Sequence, residues 1–494
     1  MTIQGREISF MYPALNGGHL KLLKESEVNS IHRASVELLE EVGIKVKSQR
    51  AREIFISNGA KLDAEEVIKI PKFMLEEAIN TSPSKLILCG REEKNDLYLE
   101  KNRTHLGTGG TVLYALDLDT GEKRKTNTSD VRDIARMVDA LENVSFYVIN
   151  TYPTDVPDEA ADINRFYWAV CNTSKHVMGG MYTINGLRSA IKMAEHIAGS
   201  PQKLKERPFI SFITLMVSPL VMDWLYTDFL IEVASRGLPL AIPSEPLAGA
   251  TAPVTLAGTI ALNNAESLAG ITLAQLVNPG TPVLYGSTSS ILDMRYGYYV
   301  AGAIESAMIN AGLAQMAQFY QLPMYGTAGM SDAKINDSQA GYESALTAMT
   351  VALSGCNYIH DAVGLLEMCQ VFSYEKMVID NEILGNIFRV MQGVEVNNDT
   401  LAVERLKEIG PGGHFLADPH TVKYVRNEFF FPKVADRRTR IAWEADGSPD
   451  TVTRAHKMAR QILAEHKPVQ VDLGLRNHIR KMFPEIKGEE VINY

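Results

Sequence analysis

The chain has 494 residues, of which 46% are hydrophobic and 22% are charged, and its formal net charge is −10. This composition is typical of a large globular protein, and the acidic balance argues against nonspecific nucleic-acid binding, which needs a basic surface. The four cysteines form no CxxC pair, so neither a disulfide framework nor a zinc ribbon is indicated.

The N-terminal sequence lacks the basic and then apolar order of a signal peptide. The longest apolar stretch, residues 209–222, is interrupted by Ser211, Thr214 and Pro219 and is too short to cross a bilayer. We therefore expect a cytoplasmic protein that has no membrane segment.

The first part of the chain predicts helices over residues 26–43 and 49–57, and a third one that starts behind Pro71. Residues 96–126 then alternate between apolar and polar side chains and contain an Asp-Thr-Gly turn. This pattern predicts a small insertion of antiparallel strands that is not part of a parallel barrel.

From residue 146 onward, short apolar runs alternate with longer helical stretches. The runs begin at Phe146, Val177, Phe209, Leu238, Pro282, Pro323 and Asn357, at intervals of 29 to 44 residues. Strand–helix alternation at this spacing predicts a (β/α)8 barrel of the α/β class, with the eighth strand somewhere in 392–418. The sequence 451–466 predicts one last amphipathic helix. We divide the chain into an N-terminal helical and antiparallel region (1–145), the barrel (146–440) and a C-terminal helical extension (441–494).

In such barrels the functional site lies at the carboxyl ends of the strands. The residues expected there are Tyr152, Tyr182, Thr214, Glu245, Ser287, Thr327, His360 and Asp361. The glycine-rich stretch 107–111 precedes a strand pattern, whereas a phosphate-binding loop must open a helix. Cys356, His360 and Asp361 are residue types that can bind a metal. Adjacent side chains on a strand face opposite ways, so His360 and Asp361 cannot both point inward, and we expect no bound metal.

The most distinctive segment is 325–348, YGTAGMSDAKINDSQAGYESALTA, a glycine-rich polar loop followed by a long helix. Asp332, Lys334, Asp337 and Gln339 give it several polar groups. Two interpretations remain open: a loop that lines a ligand site, or a simple connection in which Asp337 or Ser338 caps the helix.

Three segments, GMSDAKINDSQAGYESA, EKMVIDNEILGNIFR and GPGGHFLADPHTVKYVR, resemble the trimethylamine methyltransferase family. The chain is more similar to its non-pyrrolysine branch, which glycine betaine:corrinoid methyltransferases typify. The resemblance covers nearly the whole chain and implies a barrel that moves a methyl group from a methylated amine to the cobalt(I) of a separate corrinoid protein. It also implies that the 325–341 loop matches the pyrrolysine region, with Lys334 as the counterpart of that residue.

The implied substrate is a quaternary amine, whose nitrogen has no N–H and is best held by aromatic faces. Candidate cage residues are Tyr114, Tyr152, Tyr182, Tyr325, Tyr358 and Phe372. Candidate partners for a substrate carboxylate are Arg295, His360 and His414. Lys334, Asp332 and Glu245 are the catalytic candidates, and we expect Glu245 to act from a distance, because the amine loses its charge in the transition state.

The sequence thus predicts a methyltransferase for a quaternary amine. Glycine betaine is the first candidate, ahead of proline betaine, carnitine and γ-butyrobetaine. We expect no tightly bound cofactor, since cob(I)alamin would be presented by a cognate corrinoid protein, and we expect a homo-oligomer without nucleic-acid or membrane partners. Two alternatives stay open: a metal-dependent barrel methyltransferase and a non-catalytic betaine-binding protein.

Overall fold

The computed structural model describes residues 15–63 and 66–488. Its helices are α1 Glu25–Glu37, α2 Gln49–Ser57, α3 Lys72–Thr81, α4 Thr128–Ala140, α5 Asp158–Asn172, α6 Ile184–Ala198, α7 Pro201–Glu206, α8 Trp224–Arg236, α9 Leu256–Val277, α10 Ile304–Tyr320, α11 Ser338–Ser354, α12 Tyr374–Gln392, α13 Asn398–Leu401, α14 Val403–Ile409, α15 Pro419–Glu428, α16 Arg440–Ala445, α17 Thr451–Glu465 and α18 Leu473–Met482. The predicted N-terminal helices are confirmed as α1, α2 and α3.

The strands are short and are distributed along the chain between these helices. They are β1 Leu15–Asn16, β2 Ile44–Val46, β3 Lys61–Leu62, β4 Val67–Lys69, β5 Lys85–Leu88, β6 Leu97–Glu100, β7 Arg103–Leu106, β8 Tyr114–Leu116, β9 Lys123–Lys125, β10 Tyr147–Val148, β11 Val177–Gly180, β12 Ile210–Ile213, β13 Val221–Met222, β14 Leu240–Ser244, β15 Leu247–Ala248, β16 Val283–Ser287, β17 Ser290–Asp293, β18 Tyr298–Val300, β19 Met324–Thr327, β20 Tyr358–His360, β21 Leu365–Leu366 and β22 Val371–Phe372.

Eight parallel strands form the predicted barrel, in the order β7, β20, β19, β16, β14, β12, β11 and β10. The two end strands approach each other where the Ser145 amide donates to the Leu106 carbonyl at 2.8 Å. Helices α4, α5, α6, α8, α9, α10, α11 and α12 follow the successive strands along the chain. The interior below the strand ends is filled by a cluster that includes Phe146, Tyr325 and Tyr358, so the barrel is a packed core with its opening at one end.

The prediction for the eighth strand was wrong. That strand is β7, inside the region predicted to be antiparallel, and it pairs in parallel with β20 through His105 and Tyr358. It was missed because it lies between two antiparallel pairs, β5–β6 and β8–β9, and the second pair separates it from its helix α4. The region 392–418 instead holds α13 and α14. The barrel sheet therefore starts before residue 146, and the three-part division of the chain stays a prediction.

The C-terminal helix is confirmed as α17, but it is not the last one, because α18 follows it. His478 in α18 contacts His196 in α6, with ring centroids 5.4 Å apart. Within the described ranges, the helices are all too short or too polar to cross a membrane.

Candidate functional site

A cavity of about 980 Å³ opens at the carboxyl ends of the barrel strands. Its wall is built from residues that follow β10, β11, β12, β14, β16, β19 and β20, together with the loop after β7. Ligand sites commonly enclose about 300–1,000 Å³, so this one is large. Its position agrees with the site expected from the barrel topology.

Tyrosine rings form much of the cavity wall. They belong to Tyr152, Tyr182, Tyr226, Tyr299 and Tyr325. Tyr152 and Tyr182 meet edge to face, with centroids 4.9 Å apart, and Tyr325 stacks on the His360 ring at 4.2 Å. Such faces attract a cation by about 0.5–2 kcal/mol each.

Glu245 follows β14 directly and is exposed to the space of the cavity. In the part of the chain that the structure describes, no side chain forms a hydrogen bond or ion pair with its carboxylate. Surrounding protein atoms displace water and raise the pKa of Glu245 from 4.5 to about 7, which the charge of Asp361 reinforces and that of His360 opposes. The cavity thus contains a carboxylate without a cationic partner.

His360, Asp361 and Thr327 form a connected polar cluster at the cavity floor. The His360 ring contacts the Gly326 carbonyl through Nδ1 at 2.7 Å and Asp361 Oδ2 through Nε2 at 2.9 Å. Because a carbonyl can only accept, Nδ1 carries a proton. Thr327 Oγ1 donates to the same Oδ2 at 2.7 Å.

Our expectation that His360 and Asp361 face opposite ways was wrong. Both residues line the cavity, because Asp361 has a φ of +65° and leaves the strand geometry. Among residues 15–63 and 66–488, no three His, Cys, Asp or Glu side chains converge in a way that would hold a metal ion.

The glycine-rich stretch 107–111 follows β7 and packs against this polar cluster. A Cβ atom on Gly109 would lie 2.2 Å from Asp361 Oδ1 and 2.6 Å from His360 Cδ2. These separations are far below van der Waals contact, so the close approach requires glycine. The next element along the chain is the strand β8. This agrees with the sequence, which predicted a strand and not a helix after this stretch.

The distinctive segment 325–348 ties the cavity loops together. The Asp332 carboxylate accepts from the amides of Ala301 at 2.8 Å and Gly302 at 3.1 Å, and burial raises its pKa. The Ala333 carbonyl accepts from the Glu367 amide at 3.0 Å. Asp332 therefore holds two chain segments in register, and it is not one of the residues that line the cavity.

Residues 328–337 are all described by the structure and none of them lines the cavity, which favours the interpretation as a capped connection. Asp337 caps α11 by accepting from the Ala340 amide at 3.1 Å, and the cavity residues of this segment, Tyr325 and Thr327, belong to β19. Lys334 is exposed and its Nζ donates to the Asp332 carbonyl at 2.8 Å. Its assignment as the counterpart of pyrrolysine stays a prediction.

Of the predicted site residues, Glu245, Tyr152, Tyr182, Tyr325 and His360 line the cavity, and so do Thr214, Thr327 and Asp361 from the strand ends. Ser287 is buried and does not line the cavity. The remaining candidates lie elsewhere. Tyr358 is in the barrel interior, stacked on Phe146; Phe372 is buried against Tyr374; Tyr114 packs under Lys123; Arg295 is 79% exposed and pairs with Asp293; His414 is exposed in the loop before α15.

Two wall residues, Tyr226 and Tyr299, were not predicted. Tyr226 lies in the first turn of α8, and Tyr299 lies in the hairpin formed by β17 and β18. Both residues lie more than ten positions after the end of a barrel strand, whereas the sequence predicts site residues only at the strand ends themselves. An aromatic residue at the start of a helix that follows a strand was the available signal for Tyr226.

Comparison with known proteins relates the chain to a family. A family model described as "Trimethylamine methyltransferase (MTTB)" matches residues 4–488. A trimethylamine methyltransferase of Desulfitobacterium hafniense (strain DSM 10664 / DCB-2) is 37% identical over 476 residues, which are 96% of either chain. A glycine betaine methyltransferase of Desulfitobacterium hafniense (strain Y51) is 34% identical over 95% of this chain and 98% of its own.

The fold is also similar to a solved structure. The monomethylamine methyltransferase of Methanosarcina barkeri aligns over 92% of this chain and 90% of its own, with a TM-score of 0.54 and 14% sequence identity. At that identity the similarity concerns the fold alone.

Proposed function

The chain belongs to the trimethylamine methyltransferase family, and we propose that it moves a methyl group from a quaternary amine to the cobalt of a corrinoid held by a separate protein. That the chain is a methyltransferase follows from the family. The substrate does not, because the named relatives act on trimethylamine in one case and on glycine betaine in the other. Glycine betaine remains the first candidate from the sequence.

The observation that carries the proposal is the unpaired Glu245 carboxylate inside a wall of tyrosine rings. A quaternary nitrogen cannot donate a hydrogen bond, so it is recognised by charge and by aromatic faces. In the described part of the chain, the cavity wall contains no lysine and no arginine. A cation that enters the cavity would therefore meet favourable charge, with His360 as the repelling residue of the wall and Arg165 5.0 Å from the centroid of the Tyr182 ring.

The reaction removes the charge that the cavity attracts. As the C–N bond breaks, both of its electrons stay on nitrogen, so the departing tertiary amine is neutral. A carboxylate in direct contact with that nitrogen would stabilise the bound substrate more than the transition state. We propose that the tyrosine faces contact the ammonium group and that Glu245 acts at longer range. This arrangement favours entry of the cation and lowers the rate of methyl transfer less than a carboxylate in direct contact would.

The methyl acceptor is supplied by the partner protein. A corrinoid with reduced cobalt is a strong nucleophile. The methyl group is activated toward it because the nitrogen to which it is bonded carries a positive charge. The chain's own contribution is to fix the amine so that one methyl group points out of the open end of the barrel. The large cavity and its position at the strand ends fit such an approach from outside.

A betaine also carries a carboxylate, and His360 is the one of its three predicted partners that lines the cavity. Its ring nitrogens already contact Gly326 and Asp361, so a substrate carboxylate would compete with Asp361. We propose His360 as that partner, and a hydroxyl analogue of the substrate tests the assignment.

The experiment combines the purified full chain with a cognate corrinoid protein in the cobalt(I) state. The panel contains glycine betaine, proline betaine, carnitine, γ-butyrobetaine, choline and trimethylamine. We expect loss of the cobalt(I) absorbance and release of a tertiary amine with a quaternary substrate only. The Arg188→Gln variant, altered on the outer surface where Arg188 pairs with Glu232, is the matched control and should behave as the unaltered chain does.

Other outcomes would identify other functions. Transfer from trimethylamine alone would contradict the proposal. Tight binding of a betaine without any transfer would indicate the non-catalytic alternative. Activity that is abolished by a chelator and restored by zinc would indicate the metal-dependent one.

A further inference from the structure

The segment 394–445, which we call the arm, differs from the rest of the chain in how little of it is buried. It contains α13, α14, α15 and α16, and none of these four helices has a buried residue. The helices are 4 to 10 residues long. Isolated helices shorter than about 12–15 residues are marginal in water and need packing to persist.

The arm exposes large apolar side chains over its whole length. Leu416 is 87% exposed, Val394 and Ile441 are each 81% exposed, and Val422 is 71% exposed. Leu401, Leu406, Phe429 and Phe431 are also exposed. Large apolar side chains exposed in such number within one segment are the kind of surface at which proteins interact.

The arm is nevertheless held firmly on the barrel. The Glu382 carboxylate in α12 accepts from the amides of Lys433 and Val434 at 2.6 Å and of Ala435 at 2.9 Å. Arg389, also in α12, pairs with Glu428 at 3.0 Å. These contacts hold the part of the arm from Glu428 to Ala435 against α12.

The charges of the arm are balanced, unlike those of the whole chain. Residues 394–445 contain eight acidic and eight basic side chains, whereas the chain carries a net charge of −10. Several of the arm's charges pair within it, as Arg405 does with Asp418 and Lys423 with Asp399. Two copies of the arm would therefore bring no net charge of the same sign against each other.

We propose that the arm packs against a second copy of this chain. The arm combines exposed apolar side chains with balanced charges, so the apolar side chains of two copies can pack together while the charges of one copy face opposite charges of the other. A partner that binds and leaves in each catalytic cycle would expose these side chains to water between encounters. A second copy covers them at all times.

The proposal gives a role to a sequence motif that the cavity does not use. The segment GPGGHFLADPHTVKYVR, residues 410–426, lies in the arm and contributes no residue to the cavity wall. His414 and Leu416 belong to it. Its function is then assembly, and His414 is not expected to contact the substrate.

Sedimentation-velocity ultracentrifugation of the full chain tests the proposal. We expect a particle with at least twice the mass of one chain, and one with the mass of a single chain for the double variant L416D/V422D. The control is Val42→Asp, at another exposed apolar position outside the arm, and it should leave the mass unchanged. A single-chain mass for the unaltered protein, or an unchanged mass for the double variant, would overturn the proposal.

Chemical crosslinking covers the case in which the double variant does not fold. Equal amounts of ¹⁴N- and ¹⁵N-labelled unaltered chain are mixed, unfolded and refolded together, and treated with a lysine-reactive crosslinker. We expect mixed-isotope crosslinks that join Lys407, Lys423 or Lys433 of one copy to the other copy. Crosslinks between copies that exclude the arm, or none at all, would overturn the proposal.

Discussion

The cavity and the arm differ in which kind of group is left without a partner. In the cavity, the Glu245 carboxylate has no cation beside it, although it stands among tyrosine rings. In the arm, charged side chains such as Arg405 and Lys423 find partners within the arm, and the apolar ones remain in water. The missing partner differs accordingly: a small cation for the cavity and an apolar protein surface for the arm.

This contrast shows which interaction supplies the free energy of cation binding in the cavity and of protein association at the arm. A carboxylate and aromatic faces that are partly removed from water both attract a cation, so electrostatic attraction dominates recognition in the cavity. Exposed ion pairs contribute only about 0–1 kcal/mol, so burial of apolar surface dominates in the arm. Substitutions in one region should leave the function of the other intact, and the predictions below use this separation.

The largest effect is expected from Gly109→Ala, which should distort the polar cluster of the cavity and leave the arm unchanged. The new methyl group would overlap Asp361 and His360, and relieving such overlap costs about 1–3 kcal/mol. We expect methyl transfer to fall at least about 100-fold in kcat/KM, with a lower melting temperature and an unchanged sedimentation coefficient.

Gly180→Ala is the matched control for the stability change. Gly180 also borders the cavity, and a Cβ atom there would have nothing within 4 Å. Its melting temperature should equal that of the unaltered chain. If Gly109→Ala left both activity and melting temperature unchanged, the described geometry of the polar cluster would be incorrect.

The second prediction concerns the pH dependence of cation binding. The pKa of Glu245 is raised to about 7, so the carboxyl is neutral below that pH and charged above it. The affinity for tetramethylammonium should therefore increase between pH 6 and pH 8, by about fivefold, or on the order of 1 kcal/mol after solvent screening. Isothermal titration calorimetry measures this change, and Glu245→Gln should abolish it.

Asp361 and His360 also face Glu245 and alter its titration, and the Tyr226, Tyr299, Tyr325 and Cys369 side chains lie around it. A neutral ligand separates these contributions. The affinity for 3,3-dimethyl-1-butanol, the uncharged analogue of choline, should not vary with pH. An equal pH dependence for both ligands would show that Glu245 does not recognise the charge.

The third prediction concerns Tyr226, which the sequence did not identify. Tyr226→Phe keeps the aromatic face and should bind tetramethylammonium nearly as well as the unaltered chain does. Tyr226→Leu removes the face and should weaken binding by about 2- to 30-fold, the range expected for one cation–π contact. Equal losses in both variants would indicate that the hydroxyl, not the ring, contacts the ligand.

The contrast between these residues explains how much could be predicted from the sequence. Strand–helix spacing located seven of the eight barrel strands and, with them, strand-end residues such as Glu245 and His360. It failed for β7, because β8 and β9 lie between this strand and its helix α4, so no direct strand–helix alternation marks it. It also failed for Tyr226 and for the orientation of Asp361, since these depend on loop conformation, which hydrophobic patterns do not record.

The smallest effect is expected from Lys334→Met, which tests whether the chain itself supplies the cation that the cavity lacks. Lys334 is exposed, and its Nζ is held by the Asp332 carbonyl. A long side chain on a loop next to cavity residues is the kind of group that could swing inward and pair with Glu245. If it stays where the structure has it, the variant should keep kcat/KM within about twofold, and the pH dependence of tetramethylammonium binding should be unchanged. A shift of that pH dependence, or a loss of transfer with intact binding, would mean that Lys334 reaches the cavity during the reaction. The Glu245 carboxylate would then have a partner within the chain, and the difference between cavity and arm would be smaller than the structure indicates.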